Sequence, residues 1–292
     1  MTKFRIGKEK FKKFLEITAC EGVIKFRDSK KISEPLFSCF FLKVEGDRLE
    51  VLTIDTIKKK IQLNNIISGI EVIEPGKITI SDYTAILKVL KGKGLGKGDL
   101  PITVWDEGDT IHIESELDGY SIRQRENKDL TSVNKKLKYL EGWRKGHKEN
   151  ENGILVITAK NPKTKEIIKV PFSTKIVVKK EDLLKLVDDT INLTKDNKTK
   201  ISLQDSVLRA FKGEANARTK GKHILPYEDI GVDLMEFEED FYNIQTIVPN
   251  LFDNIILNIR RVETDGSLAV WIKSMDEKTK TEINIGLLSI KR

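Results

Sequence analysis

The sequence predicts an α+β fold made of four copies of one unit, in which a short strand leads into an amphipathic helix and three more strands follow. Apolar residues recur at helical spacing in four places, each after a strand-like run. Between these places, alternating apolar runs meet at turn residues such as Gly46 and Gly108, which indicates antiparallel hairpins. Few helices set among many antiparallel strands are typical of the α+β class.

Each predicted helix has one apolar face and one polar face. Ser81 or Asp82 can cap the second helix, and Pro249 suits the first turn of the fourth. The four segments, with the residues expected to face inward, are GKEKFKKFLEITAC with Phe11, Phe14, Leu15 and Thr18; SDYTAILKVLKG with Tyr83, Ile86, Leu87 and Leu90; KKEDLLKLVDDTI with Leu183, Leu184, Val187 and Ile191; and VPNLFDNI with Leu251, Phe252 and Ile255.

The predicted strands precede and follow these helices. A hairpin is expected where LFSCFFLKVEGDRLEVLTI turns at residues 45–48, and an additional one where GILVITAKNPKTKEIIKVP turns at NPKTKE. The remaining predicted strands cover residues 4–6, 77–80, 102–105, 110–114, 120–123, 174–178, 241–247, 256–262, 268–272 and 282–290.

The four copies fall into two pairs, which indicates two domains that each arose from a duplicated half. Their spacing is much wider than that of solenoid repeats. Residues 126–153 are polar and charged, as expected of a connecting segment. We therefore predict an N-terminal domain over residues 1–127, a linker over 128–153, and a C-terminal domain over 154–292 that begins with the additional hairpin near 154–171.

Composition narrows the possible functions. No run approaches the roughly 18 apolar residues of a membrane helix, and the N-terminus lacks the features of a signal peptide, so we expect an intracellular protein without a membrane partner. The net charge of +7 favours a polyanionic partner. Neither Ser/His/Asp, HExxH, CxxC nor acidic metal patterns occur, which predicts a protein that is not an enzyme and has no cofactor or metal.

A glycine-rich stretch at residues 91–98, KGKGLGKG, invites comparison with phosphate-binding loops. A P-loop lies between a strand and a helix and ends in Gly-Lys-Ser/Thr. This stretch follows a predicted helix and lacks the Ser/Thr, so we interpret it as a flexible helix exit with Gly92 as a possible C-cap.

Several short stretches, in order along nearly the whole chain, resemble the sliding clamp family, which comprises proliferating cell nuclear antigen of eukaryotes and archaea and, more remotely, the bacterial beta clamp. Two resemble the helices that line the clamp pore, two resemble strands of the first domain, and one resembles the C-terminal strand. They are FKKFLE at Phe11–Glu16, ILKVLKG at Ile86–Gly92, LTIDTI at Leu52–Ile57, GDTIHIE at Gly108–Glu114, and LLSI at Leu287–Ile290.

The resemblance implies two clamp-type domains per chain, with helices on the pore side of a ring and antiparallel sheets outside. Six domains make such a ring, so it also implies a homotrimer that encircles double-stranded DNA and tethers a DNA polymerase and a clamp loader through short peptide motifs.

Residue roles follow from the resemblance. It places DNA contacts at Lys8, Lys12, Lys13, Lys88, Lys91, Lys93, Lys97 and Lys185. It places the partner-peptide groove at Thr53, Ile54, Ile57, Leu130, Val133, Leu287, Leu288, Ser289 and Ile290. It places the subunit interface at Thr110, Ile111, His112, Ile113, Lys222, His223 and Ile224.

Three features depart from the family: the additional hairpin, two C-terminal helices that are not basic, and an overall basic charge. Two alternatives therefore stay open. One is a monomeric or dimeric DNA-binding processivity protein of viral type, and the other is a structural protein of duplicated β-rich domains that does not bind DNA.

Overall fold

The structure is a computed structural model. It describes residues 1–19, 24–25, 31–32, 40–54, 61–124, 146–151, 153, 155–160, 164–172, 174–193, 199–204, 207–212, 215–220, 222–223, 235–237, 247–261 and 268–289.

Two helices and eleven strands form in the N-terminal part of the chain. They are β1 (Lys3–Gly7), α1 (Lys8–Ala19), β2 (Ile24–Lys25), β3 (Lys31–Ile32), β4 (Phe40–Glu45), β5 (Arg48–Ile54), β6 (Ile61–Ser68), β7 (Glu71–Glu74), β8 (Gly76–Ile80), α2 (Tyr83–Lys91), β9 (Pro101–Glu107), β10 (Thr110–Glu114) and β11 (Gly119–Arg123).

One α-helix, one short 3-10 turn and twelve strands follow in the described C-terminal residues. They are β12 (His147–Glu149), β13 (Leu155–Lys160), β14 (Ile167–Pro171), β15 (Thr174–Lys179), α3 (Lys180–Leu193), β16 (Thr199–Gln204), β17 (Val207–Lys212), β18 (Ala215–Lys220), β19 (Lys222–His223), β20 (Met235–Phe237), the turn Val248–Asn250, β21 (Asn254–Arg261), β22 (Leu268–Asp276) and β23 (Thr281–Ser289).

The chain divides into two compact units. The first contains Met1–Glu21, Glu34–Lys138 and Asp276–Ile283, and the second contains Gly22–Ser33, Tyr139–Met275 and Asn284–Arg292. Both units combine few helices with antiparallel sheets, so the predicted α+β class is confirmed. The domain limits and the linker given above remain predictions.

The first unit is built from two exchanged copies of the repeat. One sheet has the order β11-β10-β9-β1-β7, and the other contains the adjacent strands β6-β5-β4-β8. The first strand of each copy therefore pairs with the other copy: β1 lies antiparallel beside β9, and β8 lies antiparallel beside β4. This exchange explains why the two copies fold as one unit.

The helices of the first unit form as the apolar spacing predicts. Phe11, Phe14 and Leu15 of α1 are buried, and α1 packs against α2 and β6. The inner face of α2 is Tyr83, Ile86, Leu87 and Leu90, and all four side chains are buried. The core of this unit also contains Phe4, Leu42, Leu49, Leu63, Ile78, Ile102 and Val104.

Strand β6 is absent from the sequence prediction because Asn64 and Asn65 interrupt its apolar pattern. Both side chains are buried, and both donate hydrogen bonds that replace contact with water. The Asn65 amide donates to the Phe14 carbonyl at 3.2 Å and to the Thr18 hydroxyl at 2.9 Å, which connects β6 to α1.

The second unit repeats this plan in part. Its described strands have the orders β19-β15-β21-β22 and β18-β17-β16-β20. A separate sheet, β12-β13-β14, contains the two strands of the additional hairpin, and Leu155 and Phe172 pack there with Trp271 in a small apolar core. In α3, Leu183 and Leu186 are buried while Leu184 is partly exposed, so the inner face differs from the prediction at Leu184.

The prediction of a fourth helix in VPNLFDNI is wrong. Pro249 does lie in the first turn, but that turn spans only Val248–Asn250, and Leu251 is already extended at φ −82° and ψ 167°. Strand β21 starts at Asn254, and its alternating Ile255, Leu257 and Ile259 pair with β15. The β preference of this Ile-rich run outweighs the helical spacing.

Candidate nucleic-acid interface

Helices α1 and α2 of the first unit carry an excess of positive charge. Together they contain six lysines and two glutamates, a net charge of +4. Their apolar sides are buried, so most of these charges lie on the opposite, outward faces. We call the outward faces of the two helices the lysine face.

Lys12 and Lys13 of α1 lie on the lysine face. Lys13 is exposed, and Lys12 is partly buried beside Glu9, with which it forms an ion pair one helical turn away. Ion pairs between residues one turn apart on the surface of a helix contribute little energy. A phosphate can therefore compete for the Lys12 ammonium at low cost.

Lys88 and Lys91 of α2 are also exposed on the lysine face. Both lie in the last turn of the helix, where the helix dipole favours positive charge. The Lys91 Nζ is 3.2 Å from Oε1 of Glu16, so an ion pair joins the two helices.

Lys8 does not belong to the lysine face, and its predicted DNA contact is wrong. The residue is only 3% exposed. Its ammonium donates hydrogen bonds to the carbonyl oxygens of Gly92 at 3.0 Å and Gly96 at 2.6 Å. Two backbone carbonyls thus take the place of water around this charge, and a phosphate cannot reach it.

Lys93 and Lys97 lie in the loop of residues 92–100, between α2 and β9, and both are exposed. The backbone of Gly96 and Gly98 has positive φ angles of +89° and +81°, a conformation that favours glycine. The loop follows a helix and precedes a strand, as the sequence predicts, so it is not a P-loop.

Asp99 at the end of this loop caps the N-terminus of α1, a role that the sequence does not reveal. Its Oδ1 accepts hydrogen bonds from the backbone amides of Glu9 at 2.8 Å and Lys10 at 3.1 Å. Gly7 precedes the helix and has no side chain to provide this cap locally. The capping carboxylate therefore comes from a residue about ninety positions later.

Lys185 is exposed on α3 of the second unit, in a different electrostatic setting. Helix α3 contains two lysines and four carboxylates, a net charge of −2. The short turn at Val248–Asn250 has no charged residue. Positive charge on the described helices is therefore concentrated in the first unit.

The predicted interface strand of the first unit is wrong. Thr110, Ile111, His112 and Ile113 form β10, which pairs with β9 on one side and β11 on the other, and Ile111 and Ile113 are buried. Among the described strands of this sheet, β11 and β7 lie at the two edges, and β10 lies inside. The sequence indicates both strands but not their order in the sheet.

In the second unit, Lys222 and His223 form β19, which pairs with β15 at the end of the described part of its sheet. Ile224 lies outside the described residues. Strands β18 and β20 are the two outermost described strands of the neighbouring sheet. These edges are where a further strand can add.

The predicted peptide groove is largely beyond what the structure describes. Ile57, Leu130, Val133 and Ile290 lie outside the described residues, and Ile54, Leu287, Leu288 and Ser289 are described only as members of strands β5 and β23. Thr53 is 2% exposed, so its predicted place on an open groove surface is wrong.

Among the described residues, the shifted pKa values belong to Asp109 and Asp276, to Tyr120, and to Arg123, whose pKa is raised by its hydrogen bond to Asp109. A hydrogen bond from Arg123 is the main cause that lowers the pKa of Asp109. A hydrogen bond with Asp118 is the main cause that raises the pKa of Tyr120. The pKa of Asp276 is lowered first by the Thr279 hydroxyl and, among weaker causes, by the charge of Lys13 on α1.

Within the described residues, no group of three or more His, Cys, Asp or Glu side chains could hold a metal ion. None of the described helices is long and apolar enough to cross a membrane.

Comparisons with known proteins identify the fold. No protein-family model matches the sequence, and no curated protein matches it. Among solved structures, the chain is similar to PCNA from Thermococcus kodakaraensis, with 12% identity, a TM-score of 0.57 and full coverage of both chains. It is also similar to proliferating cellular nuclear antigen from Entamoeba histolytica, with 13% identity, a TM-score of 0.59, and coverage of 100% of this chain and 99% of that one. The chain therefore has a PCNA-like sliding clamp fold.

Proposed function

We propose that this chain is a subunit of a DNA sliding clamp, a processivity factor that encircles duplex DNA and tethers a polymerase without catalytic chemistry of its own. The observation that carries the proposal is the lysine face of α1 and α2 on a clamp fold. Its exposed ammonium groups can neutralise phosphates without reading bases.

The lysine face suits a protein that must slide. Lys13 and Lys88 are exposed on neighbouring helices, and lysine presents a mobile point charge where arginine presents a rigid fork. Contacts of this kind are independent of sequence and weaken as salt increases. DNA is thereby held near the helices while it remains free to move along its axis.

Ring closure requires strand edges that pair between copies of the chain. We propose β11 in the first unit and β18 in the second as these edges. Each is an edge strand of its described sheet, and β7 and β20 are the edge strands on the opposite sides. Pairing of an edge on one copy with a different edge on the next is a head-to-tail contact, which closes into a ring at a suitable rotation. Two clamp domains per chain make the expected ring a homotrimer.

The proposed partners beyond DNA are a DNA polymerase and a clamp loader, which would dock through short peptide motifs. The proposed place of action is wherever the DNA is replicated. Ile54 and Leu287 lie in strands β5 and β23, and they remain proposed members of the peptide groove.

Solution mass and DNA affinity test the proposal together. Three chains of 33.3 kDa give a particle of about 100 kDa by light scattering. Replacing Lys13 or Lys88 with Gln, one at a time, should reduce the salt dependence of duplex binding by a slope of about 0.9, because one phosphate is no longer neutralised. Lys185→Gln serves as the comparison and should have a smaller effect, because α3 has a net negative charge. Equal effects at both places would contradict the lysine face.

A second candidate, an accessory protein that binds DNA as a monomer or dimer, is favoured by one observation. Only α1 and α2 among the described helices carry a positive excess, and a short turn replaces the fourth helix. One cationic face per chain is sufficient to bind DNA in a complex that does not encircle it. A 33 kDa particle that binds linear duplex would support this candidate over the ring.

A further inference from the structure

Lys8 is a buried cation that takes no part in the lysine face, yet it contacts the loop that follows α2. Its ammonium binds the carbonyls of Gly92 and Gly96, which lie at the start and in the middle of the loop. A cation held by carbonyl oxygens is stabilised by charge-assisted hydrogen bonds. Lys8 therefore fixes the path of a loop more than eighty residues away in sequence.

Asp99 fixes the other end of the loop on the same helix terminus. Its carboxylate accepts from the amides of Glu9 and Lys10, and the Lys8 amide donates to the Leu100 carbonyl at 2.8 Å. The approach is close, because a Cβ at Gly7 would collide with the Asp99 carboxylate. Both ends of the loop are thus bonded to the first turn of α1.

The middle of the loop is also anchored. Leu95 is fully buried, and the Gly96 amide donates to the Lys93 carbonyl at 3.0 Å. Gly94 lies against Tyr120 so closely that a Cβ there would meet the tyrosine hydroxyl. Lys93 and Lys97 alternate with these anchored positions and remain exposed.

We propose that Lys8 and Asp99 are positioning residues, which hold the loop of residues 92–100 preorganised so that Lys93 and Lys97, with Lys91 at the end of α2, meet phosphates of duplex DNA. The inference rests on the proposed function. A glycine-rich loop without such bonds would lose conformational freedom on binding DNA, at a cost in affinity. The bonds to α1 hold the loop in place before the DNA arrives.

Asp99→Ala separates positioning from net charge. Removing a negative charge beside the loop should strengthen DNA binding if only charge matters. If the loop must be positioned, the same change should weaken duplex binding by about 2- to 10-fold, which corresponds to the ordering of about one side chain. The two explanations therefore predict opposite signs.

Lys8→Met tests the same inference from the other side, with Lys10→Met as the matched control. Lys10 lies on the same helix and has the same charge, but its ammonium donates to the carbonyl of Ser68 at 2.9 Å, in a different turn. Each variant is combined with the pair Lys93→Gln and Lys97→Gln. In the natural chain, the double change of Lys93 and Lys97 to Gln should weaken DNA binding by a certain factor. We expect a smaller factor when the double change is made in Lys8→Met, and the same factor when it is made in Lys10→Met.

The measurement is fluorescence anisotropy of a short labelled duplex, titrated with the full chain over a range of salt. The paired change should lower the salt slope by up to about 1.8, because each neutralised phosphate contributes about 0.9. Inorganic phosphate at constant ionic strength should not displace the duplex. Displacement would indicate a discrete phosphate site and overturn the proposal.

The outcomes distinguish this inference from the proposed function. A chain that binds no duplex overturns both. A chain that binds duplex normally but shows no change with the paired lysine variants, or tighter binding with Asp99→Ala, overturns the loop alone. Should Lys8→Met fail to fold, the sign of the Asp99→Ala effect decides the question.

Discussion

The remote cap of α1 should make Asp99 more important for stability than the local cap of α2. Asp99 Oδ1 accepts from two helix amides, whereas Asp82 Oδ1 accepts from one, the amide of Ala85, at 3.0 Å. Loss of a capping side chain costs about 1 kcal/mol. We therefore expect Asp82→Ala to lower the free energy of unfolding by about 1 kcal/mol and Asp99→Ala to lower it by about 2 kcal/mol.

Urea denaturation of 5-fluorotryptophan-labelled protein measures this difference. Trp105 lies in the first unit, so its fluorine signal reports the unit that contains both caps. With a denaturant dependence of about 2 kcal/mol per molar, the midpoint should fall by about 0.5 M in Asp82→Ala and about 1 M in Asp99→Ala. Asp99→Asn keeps an acceptor oxygen, so its midpoint should lie between those of Asp99→Ala and the natural chain.

The order of the variants is what tests the reasoning. If Asp99→Ala is no less stable than Asp82→Ala, the remote carboxylate does not cap α1 in solution. If Asp99→Asn and Asp99→Ala lose the same stability, the negative charge matters and the hydrogen bonds do not.

Further predictions concern the anchored loop and one acidic turn. Gly94→Ala should destabilise the first unit by about 1–3 kcal/mol through overpacking against the Tyr120 hydroxyl, and Tyr120→Phe should relieve part of that loss in a urea-denaturation cycle. Thr279→Val should raise the pKa of Asp276, which a carbon-13 NMR titration of the carboxyl detects, because the Thr279 hydroxyl is the main cause that lowers it. Because the pKa of Asp276 is lower in the folded state, this group stabilises the fold above its unfolded pKa of about 3.9, and that stabilisation is lost as the pH falls through the folded pKa. Thr279→Val should therefore lose less stability than the natural chain on acidification below about pH 4.

Two further variants serve as controls, Arg123→Gln for the Asp276 titration and Gly108→Ala for Gly94→Ala. Arg123→Gln should raise the pKa of Asp109 and leave that of Asp276 unchanged, because Arg123 is the main cause at Asp109 alone. Gly108→Ala meets no neighbour within 4 Å and is strained only by its φ of +60°. If Gly108→Ala loses stability and Tyr120→Phe restores part of it, the steric explanation for Gly94 is contradicted.

Periodicity was sufficient to predict the parts of the fold that depend on local spacing. The inner faces of α1 and α2 and the turns at Gly46 and Gly108 follow from the side-chain pattern of their own segments. The α+β class follows from the small number of helical segments among many strand segments. The sequence order of the elements was enough to reach the clamp resemblance.

The roles of Lys8 and Asp99 and the order of β10 and β11 were missed because long-range pairing decides them. Lys8 lies three and seven residues before Phe11 and Leu15, on the same buried side of α1, so its position was detectable; its carbonyl partners at Gly92 and Gly96 were not. The cap from Asp99 and the position of β11 outside β10 depend on contacts between distant segments. No local pattern encodes them.

Retention on circular DNA shows whether the protein encircles the duplex. Subunits are allowed to assemble in the presence of nicked circular duplex, and the complex is separated from free protein by gel filtration at a salt concentration that abolishes binding to linear duplex. We expect the chain to stay with the circle and to be released when a restriction enzyme linearises it. Equal retention on circular and linear DNA, or none on either, would contradict a clamp that encircles DNA.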